Sequence, residues 1–207
     1  MARTKTSKAW MREHVTDIYV RRAQQDGYRS RSAYKLLEIL EKDRLVRSAM
    51  TVVDLGAAPG GWSQVLAPLV GAKGAVIALD MLEMPPLPGV TFLRGDFSED
   101  ATLQRLEEHL EGRSIDLVVS DMAPNISGVG LVDQARSMHL AELAFEFGRK
   151  RLKPGGDLLV KLFQGAGVEE FRKDLAKAFG AVAVRKPKAS RDRSSEFYLL
   201  ARGKRTS

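Results

Sequence analysis

Along most of this chain, short β-branched and aliphatic runs alternate with segments of helical period, and that alternation constrains the fold more than any other feature. The runs are TVVDLG (51–56), AVIALD (75–80), VTFLRGD (90–96), IDLVVSD (115–121) and DLLVKLF (157–163), with AVAVRK and EFYLLAR following. Between them, GWSQVLAPLVG, EDATLQRLEEHLEG, the stretch from Val132 to Leu152 and VEEFRKDLAKAFG carry apolar residues at helical spacing. The second of these opens on acids and closes on Gly112, and the third is closed by KPGG. Upstream, RSAYKLLEILEKDRLV (31–46) reads as an amphipathic helix striped by Leu36, Leu37, Ile39 and Leu40.

Repeated strand–helix units predict an α/β domain, a doubly wound, mostly parallel seven-stranded sheet of Rossmann-like type with helices on both faces. A chain of 207 residues is long enough for one such domain and one core. No internal repeat, low-complexity tract or long linker divides it. The expected organisation is a basic N-terminal extension over 1–30 and a single domain over 31–207. Ligands of such sheets bind outside the carboxyl ends of the strands, near the switch in strand order. That gathers Asp54 to Trp62, Asp80, Asp96 and Asp121, each at or just past a strand end, and Lys161, within a strand, into one candidate cleft.

The loop VVDLGAAPGGW has the glycines for close backbone approach, at Gly56, Gly60 and Gly61. It matches neither the dinucleotide pattern G-x-G-x-x-G nor the phosphate-binding G-x-x-x-x-G-K-[ST], and no lysine follows. Acids stand at the ends of three successive strands instead: Asp54, Asp80 and Asp96. A carboxylate after the second strand suits ribose hydroxyls, and negative charge around a pocket suits a cationic cofactor. S-adenosylmethionine, with sulfonium and ammonium groups and no phosphate, fits these points. The competing reading of the glycines is a tight structural turn.

With no cysteine, disulfides and thiolate metal sites are excluded. His14, His109 and His139 are too scattered for a metal site, and no metal is expected. No apolar run approaches the roughly 18 residues of a membrane span, and MARTKTSKAW has no apolar core behind its charges. A cytoplasmic, monomeric enzyme is expected. Of the net charge of +7, residues 1–31 hold eight Lys/Arg against three acids and residues 185–207 eight against two, leaving the body at −4. Basic ends on a mildly acidic body point to a polyanion held by the termini; basic tails that merely aid solubility are the alternative. Trp10, Tyr19, Tyr28, Phe197 and Tyr198 interleave with these cations, as suits RNA contact.

RSRSAYKLLEI, TVVDLGAAPGGWSQVL, GDF, SDMAPNISG, KPGGDLLVKLFQG and VRKPKASRDRSSEFYLLARG occur in this order over nearly the whole chain. Together they resemble the bacterial ribosomal RNA large-subunit 2′-O-ribose methyltransferases of the FtsJ (RrmJ, RlmE) type. The resemblance implies a Lys–Asp–Lys–Glu tetrad at Lys35, Asp121, Lys161 and Glu196. It implies S-adenosylmethionine contacts at Gly60, Trp62, Asp80, Asp96 and Asp121; Asp54, Gly56 and Phe97, beside them in the same motifs, are counted with that set. It also implies a uridine of 23S ribosomal RNA as target, on an assembled or nearly assembled large (50S) subunit.

The chemistry is arguable from the residues too. A ribose hydroxyl is a weak acid and needs a base held close while it is aligned with the methyl donor. LVKLF puts Lys161 inside an apolar strand, and lysine serves as a base where burial and cationic neighbours lower its pKa. Lys35 could supply the second positive charge, Asp121 could orient the Lys161 amine, and Glu196 could position Lys35 or the ribose. Each has a duller competitor: Lys161 as a structural ion-pair partner, Lys35 as a solvated helix lysine, Glu196 as a cap or partner of Arg193. Trp62 is read as a lid over the cofactor, with a core aromatic as the alternative. In DMAPN, Asn125 stands where amine methyltransferases carry a base-stacking aromatic, which favours oxygen as the acceptor. The missing cysteine argues against covalent attack on a pyrimidine. Transfer RNA or a messenger cap as substrate, and a non-catalytic ribosome-assembly factor, remain alternatives; a nicotinamide oxidoreductase is a distant one.

Overall fold

The computed structural model describes residues 17–124, 127, 129–191 and 194–206. His14, Trp10, Asn125 and Arg193 lie outside these residues, as does the first half of the basic extension. The strands are β1 Thr51–Leu55, β2 Ala75–Asp80, β3 Val90–Arg94, β4 Ile115–Ser120, β5 Leu152–Phe163, β6 Phe179–Arg185 and β7 Glu196–Lys204. Six described helices are α1 Ile18–Gln25, α2 Ser32–Asp43, α3 Gly61–Val70, α4 Asp100–Leu110, α5 Gly130–Arg151 and α6 Val168–Ala178.

The sheet runs β3-β2-β1-β4-β5-β7-β6. Neighbours are parallel from β3 through β5, and β7 lies antiparallel to both β5 and β6. Strand order reverses between β1 and β4, so the crevice for ligands opens at their carboxyl ends. Alternation along the strands sends residues to two cores. Val53, Leu55, Val118, Val160 and Leu162 face α4, α5 and α6. Val52, Val119, Leu159, Tyr198 and Leu200 face α2 and α3, whose Leu36, Ile39 and Leu66 complete that layer. β1 is buried at all five positions, which is why TVVDL shows no polar alternation.

Two boundaries differ from the expectation. The fifth helix ends at Arg151, and KPGG belongs to β5 rather than closing the helix. Ile115 pairs with Leu152 and Leu117 with Asp157, so Lys153 to Gly156 loop out of the ladder, with Gly155 at φ 78°. The helix expected over 31–46 stops at Asp43, where Arg44 turns left-handed at φ 50°. Sequence reading also missed α1, which Asp17 caps by accepting the Tyr19 N–H at 3.0 Å. α1 is docked on the domain: Ala23, Tyr34 and Ala189 form a small buried cluster with Tyr19 and Tyr28 against it. Among the described residues, no helix is long and apolar enough to cross a membrane.

Candidate active site

At the carboxyl end of β1 the chain turns at Gly56 (φ 76°), passes a cis Ala58–Pro59 peptide and enters α3 through Gly60 (φ 106°). A Cβ at Gly56 would lie 2.8–2.9 Å from Met122, backbone included. Only glycine lets the loop pack this closely against the segment that follows β4. The turn is tied to its neighbours by hydrogen bonds. Asp80, at the end of β2, accepts the Ala58 N–H at 2.9 Å and the Leu82 N–H at 2.8 Å. Arg29 donates to the carbonyls of Pro59 (3.3 Å), Pro85 (2.6 Å) and Pro86 (2.7 Å), joining this loop to the one after β2.

Four carboxylates gather here. Asp80 and Asp96 are half-buried and adjacent, since the Gly95 N–H donates to the Asp80 carbonyl at 2.9 Å. The Ser98 N–H and hydroxyl, both on Oδ1, hold Asp96 below the usual carboxylate range. Asp54 is different: it is wholly buried, its Oδ2 accepts the Ser63 hydroxyl at 2.6 Å, and its Oδ1 has no partner. Burial pushes its carboxyl up to about 7, against the Ser63 hydroxyl, while the charges of Asp121 and Asp80 add to the rise. Asp54 braces the start of α3 through the Ser63 hydroxyl. The direct contact expected of it is not offered, because its carboxyl has no exposed surface.

Lys161 and Asp121 meet at the end of β4. The Lys161 ammonium stands 3.0 Å from Asp121 Oδ1 and also donates to the Asp121 carbonyl. Tyr198, directly opposite Lys161 in the β5–β7 ladder, donates its hydroxyl to the same Oδ1 at 2.8 Å. Burial alone would raise Asp121, but Lys161, Lys35 and the Tyr198 hydroxyl outweigh it and hold the carboxyl low. Lys35, on α2, reaches Glu196 at 2.5 Å, with both side chains 12% exposed. Burial opposes the charge on Glu196, and Lys35 overcomes it, so this carboxyl also stays below its ordinary range. Burial and the Asp121 charge push the Tyr198 phenol well above 10, which keeps it a donor.

Lys35, Asp121, Lys161 and Glu196 are thus brought together, as two coupled ion pairs on the α2 face of the sheet. Lys161 is an ion-pair partner, as its duller reading had it, and is also aimed at the strand ends. Two aromatic expectations are corrected. Trp62 is 2% exposed; its indole N–H donates to the Ser32 carbonyl at 2.9 Å and its ring packs on Tyr198 at 5.6 Å. Its side chain is a core aromatic rather than a lid, because α2 covers the face it points to. Phe97 is 5% exposed and meets Phe147 edge to face at 5.4 Å, so its ring belongs to the core and not to a cofactor pocket.

The interleaved aromatics are corrected likewise. Tyr198 is buried and Tyr19 and Tyr28 pack on Tyr34, so none of these three stands out as a stacking platform for bases, and Phe197 is buried but for the part that lines a cavity beside α6. Tyr198 itself was missed as a site residue. The signal was present, since period-2 alternation in EFY puts Tyr198 on the face of Glu196. Arg29 carried no local signal at all.

The residues fit S-adenosylmethionine. The loop from Gly56 to Gly61 carries no side chain larger than Pro59, and half-buried Asp80, Asp96 and Asp121 line the strand ends with negative charge suited to a cation. The first-turn N–H groups of α3, Trp62 among them, have no partner within the helix. Among the described residues no three His, Cys, Asp or Glu side chains converge as metal ligands. A cavity of about 360 Å³ lined by Arg44, Arg47, Asp116 and Lys153 lies at the opposite, amino ends of the strands.

Comparison with known proteins gives the family. The ribosomal RNA large subunit methyltransferase E of Azoarcus sp. (strain BH72) is 62% identical over 200 residues, 97% of this chain and 98% of that protein. Its namesake from Pseudomonas aeruginosa (strain PAO1) is 57% identical over 203 residues, 98% of each. A Plasmodium falciparum crystal structure described as a ribosomal RNA methyltransferase superposes with a TM-score of 0.79 at 29% identity, covering 87% of this chain and all of that one. The model of the FtsJ-like methyltransferase family matches residues 28–204, which include every residue of the two ion pairs. With that match over most of its length, the chain belongs to the FtsJ-like methyltransferase family.

Proposed function

We propose that this protein transfers a methyl group from S-adenosylmethionine to the 2′-hydroxyl of a uridine ribose in 23S ribosomal RNA, on the assembled or nearly assembled large subunit. The observation that carries the chemistry is the hydrogen bonding of Lys161. The ammonium of the free protein gives up one proton before it can act as the base; the amine then has two N–H groups and one lone pair, and the Asp121 carbonyl and carboxylate offer acceptors for both N–H groups. What remains is the lone pair, ready to take the hydroxyl proton as the oxygen attacks. Asp121 orients the amine, and Tyr198 holds Asp121 from behind. The Lys35–Glu196 pair supplies a fixed charge pair beside them for the ribose. The cofactor, when bound, supplies the electrophilic methyl. Asp80 suits its ribose hydroxyls; Asp96, Asp121, the Gly56–Gly60 turn and the backbone of Trp62 complete its surroundings.

The names of the relatives support large-subunit RNA as substrate. The uridine and the assembled particle follow from the family resemblance. In this reading the basic segments 1–30 and 185–207 hold RNA backbone, and the protein works as a monomer in the cytoplasm. The test offers labelled S-adenosylmethionine with unmodified large subunits, small subunits, free ribosomal RNA and bulk transfer RNA. The expected result is label in the large subunit alone, recovered after alkaline hydrolysis as a resistant dinucleotide. Label in transfer RNA would overturn the substrate, label lost as a mononucleotide would overturn the ribose, and cofactor binding without transfer would favour an assembly factor.

A further inference from the structure

A second cavity, of about 340 Å³, lies between α6, β6 and the start of β7. Its floor is apolar: Val168, Phe197 and Leu199 are buried beneath it. Val184 pairs with Leu199 across the β6–β7 ladder yet is 47% exposed, so α6 leaves part of this sheet face uncovered. The rim is polar and net positive, with Arg172 and Lys186 against Glu169. An apolar floor under a cationic rim suits a base carrying a phosphate, and the volume is in the range of small-ligand pockets.

Its position gives it a purpose. The wall nearest the strand ends is Gln164 and Ser195, joined by a hydrogen bond from the Gln164 N–H to the Ser195 carbonyl at 3.0 Å. The next pair inward, Phe163 and Glu196, are partners in the ladder. Successive strand residues point to opposite faces, and Glu196 turns to Lys35 while Phe197 turns to the α6 side. The slot and the Lys35–Glu196 pair therefore stand back to back across a single strand end. An RNA strand draped over that end would have one nucleotide at the cleft and its neighbour at the slot.

We infer that the slot formed by Val184, Phe197, Arg172 and Lys186 is a subsite for the nucleotide flanking the methylated one, with the base on the apolar floor and the phosphate at the two cations. The inference rests on the proposed RNA methylation and extends it to how the substrate strand is positioned. It adds a fixed register at the strand end to the diffuse backbone affinity of the basic termini.

The test uses the full chain with Arg172→Glu and Val184→Glu, both at exposed positions outside the cleft. Three readouts are taken: cofactor affinity by calorimetry, methylation kinetics on large subunits, and photocrosslinking to a short thiouridine-substituted oligouridylate. The subsite predicts a KM for RNA raised about tenfold or more in each variant, with kcat and cofactor affinity unchanged, and a crosslink within 184–186 or 195–199. Arg172→Ala should lower the salt slope of RNA binding by about one. Wild-type KM in both glutamate variants, or crosslinks confined to other segments, would overturn the subsite while leaving the methyltransferase reading intact. A crosslink at the slot in a protein that methylates nothing would keep the subsite and remove the chemistry.

Discussion

Replacing Asp54 by asparagine should stabilise the free protein at alkaline pH and not at acid pH. Asp54 is wholly buried, one carboxyl oxygen has no partner, and the group is displaced from 3.8 to about 7. A carboxyl raised in the folded state binds its proton more tightly there than in the unfolded chain, so folding is penalised once it ionises. Each unit of displacement is worth about 1.4 kcal/mol, which makes the full penalty about 4 kcal/mol above pH 7. Stability falls as pH rises through the window between 3.8 and about 7, and is flat beyond it. Asparagine keeps an oxygen for Ser63 but puts an amide N–H₂ where Oδ1 has no partner, at a cost of about 1–3 kcal/mol. The net gain near pH 8 is about 1–3 kcal/mol, and the variant's advantage grows by about 3 kcal/mol between pH 5 and pH 8. Urea denaturation of both proteins across that range measures it. A stability difference independent of pH would refute the placement of an ionisable, uncompensated Asp54 beneath the loop.

Other perturbations read other parts of the site. Lys35→Met leaves Glu196 without its partner at a position only 12% exposed, and should cost about 3 kcal/mol; adding Glu196→Gln should recover most of that in denaturation while activity stays lost. Equal stability of the single and double variants would show the pair to be uncoupled. Trp62→Ala should cost about 3–5 kcal/mol as a core truncation, and Trp62→Phe should keep cofactor affinity near wild type; a selective loss of that affinity would restore the lid. Glu196 and Asp121, both held low, contribute stability that is present above the ordinary carboxylate range and lost as pH falls below it. Acid denaturation of Tyr198→Phe should accordingly begin at higher pH than that of wild type.

The sheet was legible because buried strands have to be apolar and end near the ligand crevice. TVVDL, AVIALD and IDLVVS sit within a residue of their expected places, and their terminal acids converge as the strand order requires. What escaped was set by contacts between distant segments. KPGG is a fair helix stop on local grounds, but the pairing of Ile115 with Leu152 pulls it into a strand as a bulge. Trp62 beside the glycines reads as a lid until α2, thirty residues upstream, is known to cover it. Lys35 reads as a solvated lysine because nothing near it in sequence announces Glu196. Asp54 looked like its neighbours Asp80 and Asp96, and only packing distinguishes the buried acid from the half-exposed ones.

The central claim is that Lys161, held by Asp121, takes the proton from the attacking hydroxyl. Single-turnover methyl transfer to unmodified large subunits, measured for wild type and Lys161→Ala alongside cofactor affinity, tests it most directly. The account predicts that the variant loses about a hundredfold or more in rate and binds S-adenosylmethionine as wild type does. A variant that keeps most of its rate would contradict it, and Lys161 would then be an ion-pair partner only.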